Sequence, residues 1–183
     1  RQRVHAPYRV PNSFQELDIP VQLQSTANDE PFILFDSGRD DVERIIMFGT
    51  IDNVRFLHDN MQWFADGTFS VTPNLFSQVY TIHALQCNTV LPLVYALLPN
   101  KREETYRRML CALIDVNSNL NPETILIDLE KAAENAFTGV FPGVTINFCF
   151  FISVSVFGEI YRIFILPVCT AMRRTFVASV NGC

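Results

Sequence analysis

Two carboxylates in this chain sit on short apolar runs, and their chemistry is the first thing to settle. In Trp63-Phe64-Ala65-Asp66-Gly67-Thr68-Phe69 the run carries Asp66 in its middle, with Gly67 directly after it. In Thr124-Ile125-Leu126-Ile127-Asp128-Leu129-Glu130 a run rich in β-branched residues ends on Asp128, just before a helical pattern begins. Runs of this length suit buried strands. A carboxylate in such a place is costly unless something pairs with it. For Asp66 alone, a strand-end Asp capping a turn at Gly67 is the plain alternative. Two strands that each deliver a carboxylate point instead to a metal site. Like charges at close range raise one pKa strongly unless a cation lies between them. A hard divalent ion, Mg²⁺ or Mn²⁺, prefers such oxygen ligands. Two such ions can activate a water and stabilise the leaving oxygen of a phosphodiester. Asp66 and Asp128 are therefore the candidate catalytic and metal-binding residues, for chemistry of the nuclease and transposase kind.

The elements that must position them follow from the hydrophobic periodicity. Phe64 to Val71, Gln78 to Gln86 and Val90 to Leu98 read as three strands joined by short connections, an antiparallel meander. Arg102 to Val116 reads as a helix, with Glu103 and Glu104 in its first turn, where the helix dipole favours acids. Its apolar face is Tyr106, Met109, Leu110, Leu113 and Ile114. Thr124 to Asp128 is a fourth strand. Glu130 to Val140 is a second helix, with Ala132, Ala133, Ala136, Phe137 and Val140 facing inward. Phe141-Pro142-Gly143 stops it, and Val144 to Phe151 is a fifth strand. The order β-β-β-α-β-α-β, with a right-handed crossover, predicts an α/β fold: a mixed five-stranded sheet flanked by helices. The first and fourth strands should then be parallel neighbours, with Asp66 and Asp128 at one rim.

Around that core, residues 1–60 read as an N-terminal arm with short strands, at Phe32-Ile33-Leu34-Phe35 and Ile45 to Thr50. The turn Asp36-Ser37-Gly38 follows the first, and Ile51 to Asn60 forms a helical turn or two that carries Val54, Leu57 and His58. Residues 61–151 form the core, and 152–183 an atypical apolar tail. Glu159 and Arg162 interrupt the tail, so no stretch is long and apolar enough for a membrane span. The tail is expected to pack opportunistically or to promote self-association.

Other candidates have plainer readings. His83, mid-strand among apolar residues, suits a satisfied core histidine, and His58 and His5 have no partners at ligand spacing. Glu130 would share a side with Asp128 in an extended strand, or act as a first-turn acid of the helix. Lys101, Arg102, Arg107 and Arg108 form the best basic cluster, which is usually a solvated helix face. Trp63 suits the core.

Several short motifs, in order, carry a resemblance. Asp66-Gly67-Thr68-Phe69, Tyr80-Thr81-Ile82-His83, and Leu91-Pro92-Leu93-Val94-Tyr95-Ala96-Leu97-Leu98 resemble the MULE (Mutator-like element) transposase domain. So do Ile127-Asp128-Leu129-Glu130-Lys131-Ala132, Val140-Phe141-Pro142 and Cys149-Phe150-Phe151. The resemblance spans roughly 61–151. It implies an RNase H-like fold, a DNA substrate, Mg²⁺ or Mn²⁺ as cofactor, a nuclear location, and an acidic triad whose first two members match Asp66 and Asp128. The sequence departs from the family in two places. Ile152 stands where the family has His after its Cys-x-Phe, and the family's third acid, a Glu on a later helix, has no match, so the sheet domain is expected to be incomplete at its C-terminal side. Glu159 is the only acidic residue after Glu134. The expectation is a transposase-like domain that does not itself complete strand transfer. The alternative is a non-catalytic domesticated domain that binds nucleic acid or a protein partner.

Composition agrees with a globular chain: 183 residues are 49% hydrophobic and 18% charged, enough for a sizeable core. A net charge of −5 does not advertise a nucleic-acid surface. Five cysteines without a CxxC pair exclude a zinc ribbon and a thioredoxin-type motif, and suggest free thiols in a reducing compartment. No secretory signal pattern follows Arg1, so the protein is expected not to be secreted. The chain begins at Arg1 rather than Met and is expected to be a piece of a longer product.

Overall fold

A computed structural model describes residues 11–68, 72–73, 75–86 and 89–148. Within them the chain forms β1 (Ile33–Asp36), β2 (Ile46–Phe48), α1 (Ile51–Asp59), β3 (Gln62–Thr68), β4 (Gln78–Gln86) and β5 (Thr89–Leu98). Then come α2 (Glu103–Val116), β6 (Thr124–Ile127), α3 (Lys131–Val140) and β7 (Thr145–Phe148). The strands make one mixed sheet in the order β1-β2-β5-β4-β3-β6-β7. The meander β3-β4-β5 is antiparallel, whereas β6 runs parallel to both β3 and β7. Among the described residues no helix is long and apolar enough to cross a membrane. The apolar tail and the end of the expected fifth strand, Cys149 to Phe151, lie outside the described residues.

The expected count of five strands is corrected to seven. The two short strands of the N-terminal region join the sheet: β2 pairs antiparallel with β5, Ile46 opposite Leu97 and Phe48 opposite Tyr95, and β1 pairs with β2. The reason is the apolar edge of β5, which would otherwise leave a row of backbone groups unpaired. Both faces of β2 are needed. Ile45 and Met47 belong to the main core, while Ile46 and Phe48 belong to a second cluster with Phe76, Val79, Tyr95 and Leu97 on the opposite face.

Local chemistry explains the helices. Thr50 caps α1 by accepting the Asn53 backbone N–H at 3.1 Å, and Val54 and Leu57 face the core while His58 points away and meets the Asn119 carbonyl at 3.0 Å. Helix α2 buries Tyr106, Met109, Leu110 and Leu113, with Ile114 packed at the margin. Helix α3 buries Ala133, Ala136 and Phe137; its small residues let it lie close to α2 and the sheet. Asn135 donates to Glu103 at 2.8 Å and ties the two helices near their starts.

The N-terminal region is held by more than strand pairing. Arg44, almost wholly buried, makes a two-pronged ion pair with Asp36 at 2.8 and 2.5 Å and donates to the carbonyls of Phe14 and Leu17, both at 2.9 Å. Burial pushes the Asp36 carboxyl up, but the Arg44 bonds and the Gly38 N–H outweigh it and hold the pKa below its usual value.

Candidate functional site

Pairing register decides where the two carboxylates go. In the parallel ladder between β3 and β6, Phe64 lies opposite Leu126. Asp66 and Asp128 each follow two residues later, so neighbouring strands carry them to the same level at one rim of the sheet. Gly67 is no turn: β3 continues through it to Thr68, and it stands opposite Tyr80. That removes the turn-cap reading of Asp66. Gly67 is needed instead for closeness, because a Cβ there would stand 2.4 Å from Oε1 of Gln78.

The electrostatics of the rim are those of two acids held together without enough compensation. Burial first, and then the charge of Asp128, push the Asp66 carboxyl up to about 6, against smaller opposing effects from the Gly67 N–H and Lys101. Asp128 is also raised, by burial and then by the charge of Glu130, with Lys101 opposing. Oδ1 of Asp128 is buried and has no hydrogen-bond partner among the described residues.

A chain of polar side chains backs the rim. The Lys101 ammonium lies 3.3 Å from Oε2 of Glu130, and Oε1 of Glu130 accepts the Tyr106 hydroxyl at 2.9 Å. The Tyr106 oxygen in turn accepts from Nε2 of Gln78 at 2.6 Å. Tyr106 packs edge-on against Tyr80, ring centres 5.0 Å apart. Tyr80 is fully buried; its hydroxyl has no partner among the described residues, and burial and the neighbouring Tyr106, Asp128, Glu130 and Asp66 drive its pKa far up.

The donor set suits a hard divalent cation, since two carboxylates at one level offer oxygen alone and repel each other until a cation intervenes. Among the described residues no group of three or more acids, histidines or cysteines could hold a metal. Glu130, at the cap of α3, is engaged with Tyr106 and Lys101.

The remaining sequence candidates fall elsewhere. His83 is buried in mid-sheet, where burial lowers its pKa to about 3, so it stays neutral. Trp63 is core: its indole N–H donates to the carbonyls of Leu57 and Asn60 at 3.0 and 2.9 Å, closing the end of α1 onto β3. The basic cluster is neutralised at home. Arg102 pairs with Glu43, Arg108 with Asp41, Arg107 with Glu103 and Lys101 with Glu130. Sequence reasoning missed Gln78, Tyr80 and Tyr106 as a polar support; the available signal was two tyrosines at inward positions, where phenylalanine would pack as well without a hydroxyl to satisfy.

The fold is a mixed α/β domain whose parallel pair β3 and β6 brings Asp66 and Asp128 to the same level of one rim. The chain belongs to the MULE transposase domain family, whose model matches residues 62–155, just over half of the chain. A search of curated proteins found no match.

Proposed function

We propose that this transposon-derived domain is an RNase H-like core of the DNA strand-transfer type, in which Asp66 and Asp128 hold Mg²⁺ or Mn²⁺ at the rim. The observation that carries the reading is the matched register of the two acids on adjacent parallel strands. The order β5-β4-β3-β6-β7, antiparallel on one side of β3 and parallel on the other, supports the RNase H-like assignment. A bound ion would activate a water or hydroxyl and stabilise the leaving oxygen of the DNA phosphodiester. The protein's own part is to bind and orient. Asp66 and Asp128 present oxygens, and Lys101 offsets their charge. Tyr106 and Glu130 hold the turn that follows Asp128.

The acid beside the pair, Glu130, is engaged by Tyr106 and Lys101, and the described residues offer no group of three or more candidate ligands; on this reading the chain binds the ion without completing cleavage or joining. Titration of the metal-free protein with Mn²⁺, beside Asp66→Asn and Asp128→Asn, tests the first half. Binding that weakens tenfold or more in each variant is expected, and a parent that binds no Mn²⁺ rules the site out. Incubation with labelled DNA and Mn²⁺ tests the second half. Strand cleavage that vanishes in Asp128→Asn would overturn the inactive reading, and the search for a third acid would then start at Glu159.

A further inference from the structure

The last paired residues of the ladder between β3 and β6 are Phe64 and Leu126, so Asp66 and Asp128 both lie beyond it. A line of side chains runs between the residues that follow the two acids, Gly67 and Glu130. Oε1 of Gln78 sits over Gly67, 2.4 Å from where a Cβ would stand. Nε2 of the same amide donates to the Tyr106 hydroxyl at 2.6 Å. That hydroxyl donates to Oε1 of Glu130 at 2.9 Å, and Lys101 holds the other oxygen at 3.3 Å. The backbone closes the line, because the Glu130 N–H donates to the Asp128 carbonyl at 2.8 Å.

The direction of these bonds is fixed. A carboxylate only accepts, so the Tyr106 proton goes to Glu130 and the hydroxyl oxygen is left to accept from the Gln78 amide. Gln78 is fully buried on β4, and Tyr106 comes from α2 with its ring edge-on to Tyr80. One oxygen therefore joins β4, α2 and the turn after β6, and β4 is itself paired with the strand that carries Asp66. We propose that Tyr106 is the positioning residue of the acid pair. Through Gln78 and Glu130 it braces the turn carrying Asp128 against the strand carrying Asp66, where strand pairing no longer does so. Its effect on a cation rests on the metal-site reading of the two acids; the brace itself does not. Partners in this outer layer typically change metal affinity 10–100-fold when removed.

Two measurements on the whole chain test it. In chelator, Gln78→Met and Glu130→Ala remove the two ends of the line and leave the Tyr106 ring in place. Their effects should be non-additive by threefold or more in the unfolding constant from urea titrations, and additive once Tyr106→Phe is added. Additivity with Tyr106 present overturns the brace, and so does coupling that survives Tyr106→Phe. The second measurement is Mn²⁺ titration of Tyr106→Phe, which keeps the ring against Tyr80, removes only the hydroxyl and leaves the charge of the rim unchanged. Affinity at least tenfold below the parent, with stoichiometry unchanged, is expected. A lower Tm with unchanged affinity marks a merely structural hydroxyl and overturns the role. A parent that binds no Mn²⁺ sinks the metal-site reading, and the cycle alone then decides the brace. Should Tyr106→Phe fail to fold, Gln78→Met cuts the line at its other bond without changing charge, and its Mn²⁺ affinity decides by the same two outcomes.

Discussion

Asp66 and Asp128 stand at the same level of two adjacent parallel strands, each two residues past the paired Phe64 and Leu126. They meet only because β3 runs on through Gly67 while β6 ends at Ile127 and turns into α3. One acid is thus presented from within a strand and the other from a turn, and their repulsion is a built-in cost to the metal-free fold.

Relieving that cost should stabilise the protein. Asp66→Asn is expected to raise the Tm of the metal-free protein at pH 7 by on the order of 3 °C, the shift about 1 kcal/mol produces in a chain of this size. Added Mn²⁺ should raise the Tm of the parent and leave that of the variant nearly still. Melts by circular dichroism with chelator and with Mn²⁺ check both; a less stable variant in chelator would mean that Asp66 is held by favourable bonds and is not strained.

The same strain has a pH signature. Asp66 is raised from 3.8 to about 6, so the fold favours its neutral form. Its stabilising contribution is full below about 4 and is lost as pH rises through about 6. His83, lowered from 6.5 to about 3, acts oppositely, contributing fully above 6.5 and losing this as pH falls. The parent alone therefore mixes two trends. The difference between Asp66→Asn and the parent isolates one: the stability gap should be widest above pH 6 and close towards pH 4, as read from urea melts in chelator. A gap that stays flat across this range refutes the raised carboxyl.

Gly67→Ala should cost about 1–3 kcal/mol, the usual penalty for overpacking. The new methyl would drive Gln78 off its place and off Tyr106. Shortening the obstacle should recover part of the loss, so Gly67→Ala with Gln78→Ala is expected to be less destabilised than the sum of the two. Denaturant midpoints of the four proteins measure it, and simple additivity would clear Gln78 as the obstacle.

Removing the N-terminal region should unfold the domain. A chain starting at Met61 lacks β1, β2 and α1, and with them Ile45, Met47, Val54 and Leu57 of the main core. It also bares the edge of β5. Loss of the cooperative melt, or aggregation on purification, is the expected result; a sharp melt near that of the full chain would show that residues 61–183 fold alone.

Much of this was legible in the residues themselves. β4 over Gln78–Gln86 follows from its β-branched and aromatic run, and α2 from an apolar face at helical spacing with acids in its first turn. Such patterns are local: each element's period and end signals sit within its own few residues. The parallel pairing of β3 with β6 was also legible, because a helix between two strands leaves a right-handed crossover as the favoured connection.

Sequence alone determined the elements, the family motifs and the two candidate acids. Tertiary structure alone decided what surrounds those acids. That β2 would take the edge of β5 depends on two apolar surfaces separated by some fifty residues finding each other, which no local period records. Gly67 reads as a turn in the sequence, yet Gln78 from the next strand makes it a point of close approach. Lys101 reads as part of a basic patch, yet Glu130 claims it. Tyr106 reads as a core aromatic, yet the fold turns its hydroxyl to Glu130. Period and propensity report which face a side chain takes; the partner waiting on that face belongs to another part of the chain, and only packing brings it there.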